Sequence, residues 1–169
     1  LHLNIDVVPV REKENISKLD AMIIPGGEST TLYKLCQREG MWEHMRKIKN
    51  IFGTCAGAIM LAKTIHHKTP DQKTLNLMDI EVDRNAYGRQ TESFDKDIKS
   101  TLGNIHAVFI RAPRIKKVGK DIKILAEYEA EIIACEQFKG NKYYLAACFH
   151  PELSSTIFHE YFLKKVYRI

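Results

Sequence analysis

The stretch NIFGTCAGAIMLAK, residues 50–63, decides the fold. It opens as an apolar strand, NIFGT, turns at Cys55 between Gly53 and Gly57, and continues as a helical run of small and apolar residues, CAGAIMLAK. A strand that passes directly into a helix is the joint of an α/β sheet. A cysteine at that joint has two readings. One is a small residue packed in a tight turn. The other is a nucleophile on a sharp elbow, the sulfur counterpart of a G-x-S-x-G turn, with its thiolate favoured by the helix N-terminus. In the second reading the N–H of Ala56 points to where an oxyanion develops.

Outward from this joint, DAMIIPGGEST (20–30) reads as a short strand closed by a turn. STTLYKLCQREG (29–40) follows as a helix with Leu32, Leu35 and Cys36 on one face, capped by Ser29 or Thr30 and ended by Gly40. MWEHMRKIK (41–49) is a short helix, and HHKTPDQKTLN (66–76) a polar loop. Strands are expected in LMDIEVDRNAYGRQ (77–90), which ends in a Gly turn, and in IHAVFIRAP (105–113), KILAEY (123–128), EIIACEQF (131–138) and YYLAACF (143–149). SSTIFHEYFLKKVYRI (154–169) closes the chain as an amphipathic helix. This order predicts a three-layer α/β sandwich around a mostly parallel sheet. Such a sheet usually holds its N-terminal strand near the centre. Either LHLNIDVVPV (1–10), which alternates and is β-branched, supplies that strand, or an earlier one precedes it.

The bulk numbers agree with one enzyme-sized domain. A chain of 169 residues, 44% hydrophobic and 28% charged, buries an ordinary core. No apolar run is long enough to span a membrane and no signal-peptide pattern opens the chain. The four cysteines show neither CxxC spacing nor a His/Cys cluster, so no metal is expected, and their number fits a reducing, cytoplasmic setting. The net charge of +5 is scattered, without aromatic interleaving, and no nucleic-acid partner is expected.

A cysteine nucleophile needs a base. Among seven histidines, His150 stands out: it follows a buried-looking strand in AACFHPEL (146–153). That is where α/β sheets place functional loops. Pro151 biases His150 to an extended backbone, which puts Glu152 on the same side as the imidazole. Glu152 then orients the ring, unless it merely begins a helical turn after the proline. In PGGEST (25–30) two glycines expose backbone N–H groups, which suits a second oxyanion donor at Gly27; the plainer reading is a turn before a helix. Arg84 and Arg111, read alone, are surface charges at strand ends.

PGGEST, GTCAGAIML, DRNAYGRQ, FIRAP and CFHPEL occur in this order. Together they resemble the glutaminase subunits of pyridoxal 5′-phosphate synthase, a branch of the triad (class I) glutamine amidotransferases. The resemblance runs from about residue 21 to the C-terminus. It implies a flavodoxin-like α/β fold over one domain, residues 1–169, and hydrolysis of L-glutamine to L-glutamate and ammonia without a cofactor. The ammonia passes to a partner synthase. By the same resemblance Cys55 is the nucleophile, His150 the general base and acid, and Glu152 the orienting acid. Gly27 and Ala56 form the oxyanion hole. Gly26, Gly27, Glu28, Arg84, Ile110 and Arg111 line the glutamine site, an arginine suiting the substrate carboxylate. Family members begin with a strand and a Gly-Leu-Gln-Gly-like turn ahead of the segment seen here, so the expectation is a domain lacking its N-terminal strand. Two other readings compete: a related triad enzyme serving another synthase or acting on peptides or aldehydes, and a non-catalytic scaffold of the same fold.

Overall fold

The computed structural model describes residues 5–84 and 93–168. Along the chain run α1 (Lys13–Ile16), β1 (Met22–Ile24), α2 (Ser29–Arg38), α3 (Trp42–Met45), β2 (Asn50–Thr54), α4 (Ala56–Leu61), β3 (Ala62–His66) and β4 (Met78–Asp83). Then follow β5 (Phe94–Ser100), β6 (Gly103–Phe109), β7 (Arg114–Val118), β8 (Ile122–Tyr128), β9 (Glu131–Lys139), β10 (Lys142–Ala147), a 3-10 turn (Pro151–Leu153) and α5 (Ile157–Tyr167).

The sheet runs β1-β2-β10-β9-β7-β4-β3. β1, β2 and β10 are mutually parallel, and so are β3 and β4. β9 and β7 join these two sections by antiparallel pairing. β8 pairs with β9 and carries the β5–β6 hairpin outward. Parallel pairing is thus concentrated where the strands lead into the site. The alternation of side chains along each strand builds the two outer layers. On β2, Ile51 enters a core with Met22, Ile24, Trp42 and α4, while Phe52 enters the opposite core with Phe109, Phe149, Phe158 and Phe162. β10 divides the same way, Tyr144 and Ala146 to the first core and Tyr143 and Leu145 to the second. Each such fully buried large side chain contributes about 1.5–3 kcal/mol. α5 is tied down by polar bonds as well: Tyr161 donates to the buried Glu136 at 2.9 Å, and Tyr143 donates to the same carboxylate at 2.8 Å.

α4 sits unusually close to the strands, and its glycine explains why. A Cβ built on Gly57 would lie 2.1 Å from the Ile24 carbonyl oxygen, and one on Gly53 would lie 2.5 Å from the Gly57 backbone. Only glycine at both positions lets the helix begin directly over β1 and β2.

The structure departs from the sequence reading at several places. Residues 5–10 belong to no strand, and residues 1–4 lie outside the described residues. β-propensity acts through burial and pairing, and Val7 is 87% exposed. α4 stops at Leu61 instead of running to Lys63, because Ala62 turns extended and β3 pairs with β4. β5 and β7 were not anticipated; both are rich in charged residues and only partly buried. Of the anticipated segment 77–90, residues 85–90 lie outside the described residues. Among the described residues no helix is long and apolar enough to cross a membrane.

Candidate active site

The C-terminal ends of β1, β2 and β10 meet at one point, and the candidate residues stand there. Cys55 follows β2 with φ 49° and ψ −106°. A non-glycine residue at positive φ is strained, and such strain is kept where neighbours over-determine it. Here the Cys55 N–H donates to the Ala147 carbonyl at 2.8 Å, which continues the β2–β10 ladder through the bend. The residue is 5% exposed, and its thiol faces the Ile110 carbonyl oxygen at 3.8 Å. Ala56 opens α4, so its N–H belongs to the first-turn amides that a helix leaves without an intrahelical acceptor.

His150 follows β10. Its backbone N–H donates to the Val108 carbonyl at 2.8 Å, and its φ of −106° and ψ of 82° lie outside the helical region, which a following proline disfavours. Glu152 lies in the 3-10 turn, and its Oε1 is 2.7 Å from His150 Nδ1. The glutamate therefore does begin a helical turn and holds the imidazole at the same time; the turn, not an extended alternation, brings them together. The neighbouring Cys55 side chain, and the hydrogen bond to Glu152, push the His150 imidazole up to about 9 against the opposing effect of burial. Gly26 closes the other side of the ring: a Cβ there would lie 2.3 Å from His150 Cε1.

Gly27 has φ 138°, a conformation that glycine alone adopts without strain, and it leads into Glu28. Glu28, not Ser29 or Thr30, caps α2. Its carboxylate accepts from the Thr30 N–H at 2.9 Å, from the Thr31 N–H at 2.7 Å and from the Thr31 hydroxyl at 2.8 Å. Burial opposes ionisation, yet these bonds hold the carboxyl down to about 2. The stability from this ionised cap is fully present above its ordinary value of 4.5 and is lost as pH falls through about 2. The stability gap between the protein and Glu28→Gln is therefore expected to close between these two values. Denaturant titrations across that range check it; a gap that persists unchanged at the acid end would overturn the cap.

Arg84 Nη2 donates to Glu28 Oε1 at 2.9 Å, and Nη1 donates to Thr30 Oγ1 at 2.9 Å and to Gln72 Oε1 at 2.7 Å. Among the described residues its bonds run to this cluster and none to Cys55, His150 or Glu152. Arg111 stands beside Ile110 with φ 47° and an exposed side chain. Gln72 and Ser29, both buried, were missed by sequence reasoning; a glutamine in a polar loop carries no signal of its own. Among the described residues no group of three or more His, Cys, Asp or Glu side chains is placed to hold a metal ion. The arrangement is a thiol beside an imidazole, an acid bonded to the imidazole, and a helix N-terminus beginning at the thiol. It suits acyl transfer.

Comparison with known proteins bears on the family and the fold. Residues 3–168 match the SNO glutamine amidotransferase family. The pyridoxal 5'-phosphate synthase subunit PdxT of Desulforamulus reducens is 46% identical over 170 residues, covering 96% of this chain and 87% of the relative. The subunit of the same name from Methanospirillum hungatei is 47% identical, covering 97% and 83%. A crystal structure of a glutamine amidotransferase superposes with a TM-score of 0.86 at 42% identity, covering 96% of this chain and 87% of that one. A GMP synthase-like protein from Thermoplasma acidophilum shares the fold alone, with a TM-score of 0.60 at 14% identity, covering 89% of this chain and 75% of that one.

Proposed function

The chain belongs to the SNO glutamine amidotransferase family, and we propose that it hydrolyses L-glutamine to L-glutamate and ammonia with a Cys55-His150-Glu152 triad and hands the ammonia to a synthase subunit that makes pyridoxal 5′-phosphate. The observation that carries the triad is the strained elbow of Cys55 beside an imidazole whose Nδ1 is held by Glu152 at 2.7 Å.

The Cys55 thiolate attacks the side-chain amide carbon of glutamine. The backbone N–H groups of Gly27 and Ala56 take the negative charge on the tetrahedral oxygen. His150, charged at neutral pH, gives its proton to the departing nitrogen, and ammonia leaves behind a γ-glutamyl thioester on Cys55. The now neutral imidazole takes a proton from water, whose oxygen attacks the thioester; glutamate leaves, and the Cys55 thiolate beside the charged imidazole is restored. Glu152 keeps the ring in one orientation through both halves. Gly26, Glu28, Arg84, Ile110 and Arg111 shape the glutamine pocket, and Arg84 supplies the fixed charge for the α-carboxylate. The four cysteines are free, which suits the cytoplasm.

Glutamate release from L-glutamine, measured with and without the synthase subunit, tests this reading. Release that appears or rises with the synthase is expected. Folded protein that releases none in either condition would overturn it.

A further inference from the structure

We infer that Gln72 is a positioning residue that fixes the guanidinium of Arg84 for glutamine binding; this rests on Arg84 binding the substrate carboxylate. Gln72 lies on the connection between β3 and β4, yet it is 2% exposed. Both ends of its amide are used. Oε1 accepts from Arg84 Nη1 at 2.7 Å and from Thr30 Oγ1 at 3.4 Å, and Nε2 donates to the buried Ser29 hydroxyl at 2.8 Å. A buried amide with both ends bonded defines one orientation for its partners.

The connection that carries Gln72 is itself anchored. The Leu75 N–H donates to the Met60 carbonyl at 2.8 Å and the Leu77 N–H to the Leu61 carbonyl at 3.0 Å, so the loop is laced to the end of α4. Leu75 is fully buried beneath it. Cys55 begins that same helix. Gln72 thus links Arg84 to the element that carries the nucleophile, while Glu28 links Arg84 to the strand end that carries Gly26 and Gly27. With one terminal nitrogen held by each, the plane of the guanidinium is set before substrate arrives. A two-pronged carboxylate contact depends on that plane.

Gln72→Met keeps the size of the side chain and removes all three of these bonds. Losing one charge-assisted hydrogen bond from Arg84 is expected to raise KM for glutamine about tenfold, with kcat changed by no more than about twofold. KM does not depend on the folded fraction, so a residue that only supported the loop would lower the unfolding temperature and apparent kcat and leave KM alone. The assay is steady-state glutaminase kinetics with the synthase subunit present, on the protein, Gln72→Met, Arg84→Ala and the double variant. The expected result is a double variant with the KM of Arg84→Ala, since Gln72 acts through Arg84. An unchanged KM in Gln72→Met beside a raised KM in Arg84→Ala would overturn the inference, and so would increases that multiply in the double variant. An unchanged KM in Arg84→Ala would instead overturn the reading of Arg84, and the role of Gln72 with it.

Discussion

Cys55→Ala is expected to lose glutamine hydrolysis by about 10⁴-fold or more, with the synthase subunit present, while its thermal unfolding stays close to that of the parent protein. The two halves of the expectation have separate causes. Chemistry fails because the thioester has no sulfur to form on, and no other thiol is placed to replace it: Cys135 and Cys148 are buried with burial pushing both thiols up, and Cys36 lies on α2. The fold survives because the change removes a single atom whose described hydrogen bond is a long one to the Ile110 carbonyl. Alanine and cysteine meet similar resistance at φ 49°, so the elbow is no more strained than before. A second readout follows from the electrostatics. The neighbouring Cys55 side chain is the largest influence that raises His150, so in Cys55→Ala the imidazole is expected to titrate below about 9. A γ-electrophilic analogue of glutamine, such as a diazoketone, should add one label to the parent protein and none to the variant, by intact mass. Substantial turnover in Cys55→Ala would overturn the mechanism, whatever the label shows.

The parts of this site that were legible in the sequence are those where chemistry demands a residue type at a fixed offset. Cys55 between Gly53 and Gly57 was readable because the close approach of α4 to Ile24 admits no side chain at Gly57. His150 and Glu152 were readable because Pro151 limits the backbone between them, although the turn they form is helical and not extended. Gly27 was readable from a turn that needs its positive φ. Glu28 was assigned to the glutamine pocket from the family resemblance, but its capping of α2 was missed; a serine and a threonine stand next to it, and local preference favours both. The carboxylate wins because it reaches two amides and the Arg84 guanidinium together. Gln72 was invisible for a different reason. Its partners are residues 29 and 30, more than forty positions away, and Arg84, twelve positions on, and no periodicity records such a meeting. The same holds for β3. AKTIH follows a helix without a break, and only its pairing with β4 makes it a strand.

Gly26→Ala is expected to lower kcat by about 10² to 10³-fold with little change in KM and no loss of the fold. The added methyl would stand 2.3 Å from His150 Cε1 and 3.1 and 3.2 Å from the two ring nitrogens, that is, against the Cε1 edge of the ring. Something must move, and the geometry says what. Gly26 does not lie in the left-handed region, so alanine adds no backbone strain there. The obstruction is a side chain and not, as at Gly57, a carbonyl of the sheet, so the imidazole gives way and the strands do not. Moving the ring stretches its 2.7 Å bond to Glu152 and shifts it from its place beside Cys55. Either change removes proton transfer, while Glu28 and Arg84 keep the substrate end of the pocket intact. The displaced imidazole is expected to titrate lower than about 9, because the neighbours that raise it are the ones the methyl moves it away from. Steady-state kinetics, thermal unfolding and a histidine NMR titration read the three effects separately. A Gly26→Ala variant with the parent kcat would mean that the ring reaches the reacting atoms from another position, and the close packing of Gly26 on His150 would then have no part in catalysis.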